Sequence, residues 1–226
     1  MGYSVLTSIT PRAGAKLLIS NEIDIMSNIP YNLTVNILDE LADLTIKECL
    51  SIIDTNNYGK IADIKYIPQF GKVDTIFRVP YYFIENGQTS VDYARLGFYL
   101  KRDVNASLGA NTKFGENHGK AASLLGLTDC IATRIVPSTF TNAFCSCDKD
   151  KQNEIALKLF FRIPIVQIIL KSASTSLTNG FLPMQTLKDS TRHRRSQSLR
   201  AIFKRLLVFN DEDLNNRISN IIWEDI

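Results

Sequence analysis

Three stretches decide the fold. They are Thr89-Ser-Val-Asp-Tyr-Ala-Arg-Leu-Gly-Phe-Tyr-Leu100, Asn111-Thr-Lys-Phe-Gly-Glu-Asn-His-Gly-Lys-Ala-Ala-Ser-Leu-Leu-Gly-Leu127 and Cys130-Ile-Ala-Thr-Arg-Ile-Val136. In the first, Thr89 or Ser90 can cap a helix whose apolar positions are Val91, Ala94, Leu96, Phe98 and Leu100. Residues 103–114 are small and polar and predict a turn. A second short helix is expected over 115–125, ended by Gly126, because glycine accepts the left-handed conformation that closes a helix. Residues 130–136 then read as a strand, with Pro137-Ser-Thr turning the chain before Phe140 and Phe144. The order is helix, turn, helix, β-ribbon.

That order is the one a winged helix uses. Its second helix packs one apolar side, here Ala121, Leu124 and Leu125, on the first helix and projects the other side toward a groove. The outward candidates are Lys113, Glu116, Asn117, His118 and Lys120.

On the N-terminal side, residues 29–53 predict an amphipathic helix with acids on its polar face. Asp54-Thr-Asn-Asn-Tyr-Gly59 is a turn cluster, Ile61-Ala-Asp-Ile-Lys-Tyr-Ile67 alternates as a strand does, and residues 73–84 read as extended up to the turn at Asn86-Gly87. On the C-terminal side, residues 150–172 form a helical run that Pro164 should kink or break. A short helix at 184–187 and caps from Asp189, Ser190 and Thr191 then lead into a helix starting at Arg192. That helix turns Leu199, Ile202, Phe203, Leu206 and Leu207 inward, and Arg192, Arg194, Arg195, Gln197, Arg200 and Lys204 outward. The expected class is α+β and helix-rich. A small acidic α/β region (1–78) precedes a winged helix-turn-helix region (79–226) that contains a second basic helix-turn-helix unit at 182–208.

Composition narrows the function classes. The chain has 226 residues, 45% hydrophobic and 22% charged, which is ordinary for a globular protein and excludes collagen-like, disordered and disulfide-framework classes. No apolar run approaches the ~18 residues of a membrane span. The first residues lack a basic segment followed by an apolar core, so a cytoplasmic location is expected. Net charge is only +3, but its distribution is uneven. Residues 1–75 carry 6 Lys/Arg against 9 Asp/Glu, whereas seven cations and one acid, Asp189, lie between Lys188 and Arg205. Arginines at a helix start oppose the macrodipole, so folding alone explains them poorly and a local polyanion explains them better. Cys49, Cys130, Cys145 and Cys147 are read as free thiols, since Cys145-Ser-Cys147 lacks zinc-ligand spacing and His118 and His193 are distant in sequence.

The segments Tyr93-Ala-Arg-Leu-Gly-Phe-Tyr-Leu, Glu116-Asn-His-Gly-Lys-Ala-Ala-Ser-Leu-Leu-Gly-Leu127 and Leu187-Lys-Asp-Ser-Thr-Arg-His-Arg-Arg-Ser-Gln-Ser-Leu-Arg-Ala-Ile-Phe together resemble a winged-helix module. That module occurs in prokaryotic restriction-endonuclease-like and other defence-island proteins. The resemblance implies double-stranded DNA binding within a defence, restriction or regulatory system. A larger defence-system subunit or a second copy of the chain are further candidate partners.

On the residues themselves, Arg192, Arg194 and Arg195 are expected to neutralise phosphates, with Lys113, Lys120 and Lys204 alongside. Ser190 and Thr191 suit a phosphate at the helix start. Gln197, Arg200, Asn117 and His118 are candidates for base edges. Six phosphate contacts imply that log K falls with log salt at a slope of about −5.

Two other readings stay open. A restriction-like nuclease needs an Asp and an Asp/Glu-x-Lys to hold Mg²⁺ and orient water, and Asp54 with Asp63-Ile64-Lys65 is the one candidate. Without it no cofactor is called for, and no glycine-rich phosphate loop is present. Alternatively, the helix at 29–53 docks a non-catalytic subunit on a larger enzyme.

Overall fold

A computed structural model describes residues 41–55, 67–101, 103, 105–171 and 187–223. The expected strand residues 61–66 and the expected helix 184–187, apart from Leu187, lie outside the described residues.

Helix α1 (Ile46–Thr55) is set by a reciprocal cap. Thr45 Oγ1 accepts from the Glu48 amide at 3.2 Å, while Glu48 Oε2 accepts from the Thr45 amide at 2.8 Å. This cap divides the single helix expected over 29–53. Residues 41–43 are helical, the chain leaves the helix at Leu44 and Thr45, and α1 starts afresh.

Residues 73–84 are not extended but form two helices, α2 (Val73–Ile76) and α3 (Val79–Asn86). The β-branched and aromatic residues that suggested a strand are buried here at helical spacing: Val73, Ile76, Val79, Tyr82 and Phe83. Pro80 sits in the first turn of α3, where its missing N–H costs nothing, and Gly87 closes the helix at φ 60°.

Strand β1 (Val91–Asp92) leads directly into α4 (Tyr93–Lys101). The cap is Asp92, whose Oδ1 accepts from the Arg95 amide at 2.9 Å, and not Thr89 or Ser90. Helix α5 (Leu108–Leu124) begins much earlier than Gly115, with Ser107 Oγ accepting from the Ala110 amide at 3.2 Å. The expected turn over 103–114 is therefore half helix. Gly97 of α4 and Gly115 of α5 let the two backbones touch.

Gly126, at φ 76°, ends the helix as expected. Residues 130–136 form no single strand. The chain instead makes a hairpin of β2 (Thr128–Ile131) and β3 (Arg134–Pro137), turning at Ala132 with φ 53°. Cys130 faces Ile135 in register, and Ile135 also pairs with Val91, so the antiparallel sheet runs β1-β3-β2.

Helix α6 (Thr139–Ser146) buries Phe140 and Phe144 and starts at Ser138, whose amide donates to Thr141 Oγ1 at 2.9 Å. Helix α7 (Lys149–Lys158) is capped by Asp148. A 3-10 turn (Leu159–Arg162) and extended Ile163 separate it from α8 (Pro164–Lys171), which is the break expected at Pro164. Helix α9 (Asp189–Leu206) buries Leu199, Ile202, Phe203 and Leu206, whereas Leu207 falls in the following 3-10 turn and is 40% exposed. Helix α10 (Glu212–Ser219) is capped by Asp211.

The described residues form a helix-rich α+β fold with one small antiparallel sheet. Buried side chains from Leu41 to Ile221 form one cluster. The boundary expected after residue 78 falls between Ile76 and Val79, both fully buried in that cluster.

Candidate nucleic-acid interface

Helix α5 carries the outward row expected of it, with one exception. Residues 113, 116, 117 and 120 recur at three- and four-residue steps and share a side. Lys113 and Lys120 are exposed and Asn117 is half-buried. Both lysines reach Glu116: Lys113 Nζ lies 2.8 Å from Oε2 and Lys120 Nζ 2.7 Å from Oε1. These donated hydrogen bonds hold the Glu116 carboxyl below the usual carboxylate range. Lys120 also lies 5.9 Å from the Tyr93 ring centroid, and the Tyr93 hydroxyl is 3.2 Å from Cys130 Sγ. The start of α4, the middle of α5 and strand β2 thus form one continuous surface. Arg134 is exposed on the hairpin and donates from Nε to Ser90 Oγ at 3.0 Å.

His118 is the exception. It is 1% exposed and cannot read a base. The Gly71 amide donates to Nε2 at 3.4 Å, so the proton is on Nδ1, which donates to the Phe114 carbonyl at 2.8 Å. Burial pushes its pKa down and keeps the ring neutral. Sequence spacing placed His118 among polar neighbours, but the glycines at 115 and 119 draw that side of α5 into the core.

Helix α9 departs further from expectation. Its N-cap is Lys188, without a side-chain cap, so Ser190 and Thr191 lie inside the first turn. Arg192 pairs with Asp189, Arg195 donates to the Ile67 carbonyl, and the Arg200 guanidinium lies 4.8 Å from the Trp223 ring centroid. Arg205 pairs with Asp74 at 3.1 Å. Of the arginines expected to neutralise phosphates, Arg192 and Arg195 are thus half-buried against their own chain, and so is Arg200, expected at a base edge. Residues 67–70 account for Arg195. They lie along α9, where Ser198 Oγ accepts from the Phe70 amide at 3.0 Å and contacts the Phe70 carbonyl at 3.1 Å. Arg194, Gln197 and Lys204 remain exposed. Among the described residues Arg194 bonds within its helix, to the Ser190 carbonyl at 3.0 Å and Thr191 Oγ1 at 3.4 Å.

Of the nuclease candidates, Asp63 and Lys65 lie outside the described residues. Asp54 lies in the last turn of α1, clamped by Arg217 at 2.6 Å (Nη1 to Oδ1) and 2.7 Å (Nη2 to Oδ2). Arg217 also binds Asp213 and holds the Asp54 carboxyl below its usual range. Its lone pairs serve the fold. Among the described residues no three His, Cys, Asp or Glu side chains converge as metal ligands, and all four cysteines are free. Burial raises Cys49 and Cys145 to about 12. The helix expected to dock on a larger subunit turns Cys49, Leu50 and Ile53, over its described part, into its own α8 and α10. No described helix is long and apolar enough to cross a membrane. No protein-family model matches this chain, and neither does any curated protein or solved structure.

Proposed function

We propose that the chain binds double-stranded DNA as a winged helix, with α5 presented to the major groove and the β2–β3 hairpin alongside it as the wing. One observation carries the reading. The order α3–β1–α4–α5–β2–β3, with sheet order β1-β3-β2, leaves Lys113, Asn117 and Lys120 on the outward side of the helix that a winged helix inserts. Lys113 and Lys120 take phosphates, Arg134 takes one from the wing, and Asn117 is the residue able to pair with an adenine edge. Arg194, Gln197 and Lys204 of α9 are the exposed remainder of the C-terminal basic segment and extend the contact. Placement in a prokaryotic defence, restriction or regulatory system rests on the sequence resemblance alone and belongs to the same proposal.

The test is titration of a labelled duplex of random sequence with the purified full-length chain, followed by fluorescence anisotropy across a salt series. Binding that weakens with salt, and that weakens further in Lys113→Ala/Lys120→Ala, is the expected result. Absence of duplex binding at low salt, or binding indifferent to salt, refutes it.

A further inference from the structure

An acid in the middle of a row offered to a polyanion needs explaining, and Glu116 is one. Lys113, one turn before it, and Lys120, one turn after it, take one carboxylate oxygen each, at 2.8 and 2.7 Å. The lysine side chains are 63% and 54% exposed and the glutamate 24%, so the ammonium groups are the movable partners and the carboxylate the fixed one. Exposed pairs of this kind gain little for folding and are easily exchanged for another anion. The two lysine Cα atoms lie about 10 Å apart along the helix, a span that a run of backbone phosphates bridges and a single small anion does not.

We propose that Glu116 is a positioning residue for the DNA-binding reading above, on which this inference rests. It holds Lys113 and Lys120 against α5 and yields them to two phosphates as the duplex docks. Each ammonium is kept from phosphate by an internal competitor, and the cost of displacing it is recovered only when both are taken together.

The test is a double-mutant cycle on the full-length chain, read as affinity for a random-sequence duplex at low salt, with melting curves to monitor folding. Glu116→Gln keeps the shape and helix propensity of the side chain and should tighten binding about fivefold. Glu116→Ala provides a second variant with the same expectation. In a Lys113→Met/Lys120→Met background that gain should vanish, because the acid acts through the lysines. A gain that persists in that background marks plain repulsion between acid and DNA and overturns the inference. So does a Glu116→Gln protein that binds no tighter than a wild type that does bind. If neither protein binds any duplex, the DNA reading itself fails and takes the inference with it.

Discussion

Gly97 of α4 and Gly115 of α5 meet backbone to backbone. A Cβ on Gly115 would stand 1.9 Å from the Tyr93 carbonyl oxygen and 2.6 Å from the Gly97 nitrogen, and a Cβ on Gly97 would stand 1.8 Å from the Asn111 carbonyl oxygen. Main chain cannot swing aside as a flexible side chain does, so either methyl must force the helices apart. Gly97→Ala or Gly115→Ala should therefore cost about 3 kcal/mol or more. Gly109 is the control, being exposed on the same helix with nothing within 4 Å of an added Cβ. Gly109→Ala should be neutral or stabilise by up to about 1 kcal/mol. Denaturant unfolding of the three variants checks the contrast.

A second prediction concerns Asp54. Arg217 joins it, on α1, to α10, and also donates to the Leu170 carbonyl at the end of α8. Asp54→Asn should lower stability by about 1 kcal/mol, a figure already discounted for the solvent around the half-exposed carboxylate. Since the native carboxyl lies below its usual range, the contribution is complete above the unfolded-state pKa of about 3.9. It is lost as pH falls through the lower native value. Melting temperatures of wild type and Asp54→Asn should therefore differ at neutral pH and converge in acid. A difference that survives strong acid would rule out the ion pair as its cause.

The reach of the sequence is uneven for a physical reason. Local signals were readable where one residue type has one use, as with Pro164 between α7 and α8 or the positive φ of Gly126. They misled where a residue type has two uses. Small and polar residues serve both loops and exposed helix surfaces, so the first turns of α5 looked like a loop. β-Branched residues favour strands yet fill helix cores, so α2 and α3 looked extended. The candidate site was legible on the apolar side and only in part on the polar one. The periodicity of α9 placed Leu199, Ile202, Phe203 and Leu206 correctly. Nothing local announces that residues 67–70 will lie beside that helix and accept Arg195 from 128 positions away. His118 was misplaced for the same reason, its amide donor being Gly71.

Salt dependence follows from which cations are exposed. Lys113, Lys120, Arg134, Arg194 and Lys204 are exposed, whereas Arg192 and Arg195 are half-buried. Five phosphate contacts give a log–log salt slope of about −4.5, shallower than that expected from six. Lys113→Ala/Lys120→Ala should flatten the slope by about 2, and Arg194→Ala/Lys204→Ala by a similar amount. Arg192→Ala and Arg195→Ala should leave the slope unchanged while lowering the melting temperature. Equal slopes in wild type and the lysine variant would remove α5 from the interface.

The last prediction sets a buried group and a half-buried one against each other in pH. Burial lowers the His118 pKa, so below the unfolded-state value of about 6.5 the unfolded chain binds the proton first. Stability supplied by the neutral ring is complete above that pH and falls as acid is added, until the native pKa is reached. Burial raises Asp129 to about 6, which has the opposite sign. Its charge costs stability in full above about 6, and the cost fades as pH falls toward the unfolded-state value of about 3.9. In the wild type the two effects overlap and partly cancel. Asp129→Asn should raise the melting temperature at pH 7.5 by the equivalent of less than about 1 kcal/mol, since the side chain is half-exposed. That gain should disappear below about pH 4, and the variant should show a steeper acid loss below pH 6.5 than the wild type. His118→Gln, which keeps a donor in reach of the Phe114 carbonyl, should be less stable at neutral pH by about 1–2 kcal/mol. It should also lose the acid sensitivity that begins near 6.5. Melting curves from pH 4 to 8 for the three proteins check both signs at once, and an acid loss that His118→Gln leaves intact would assign the transition to another group.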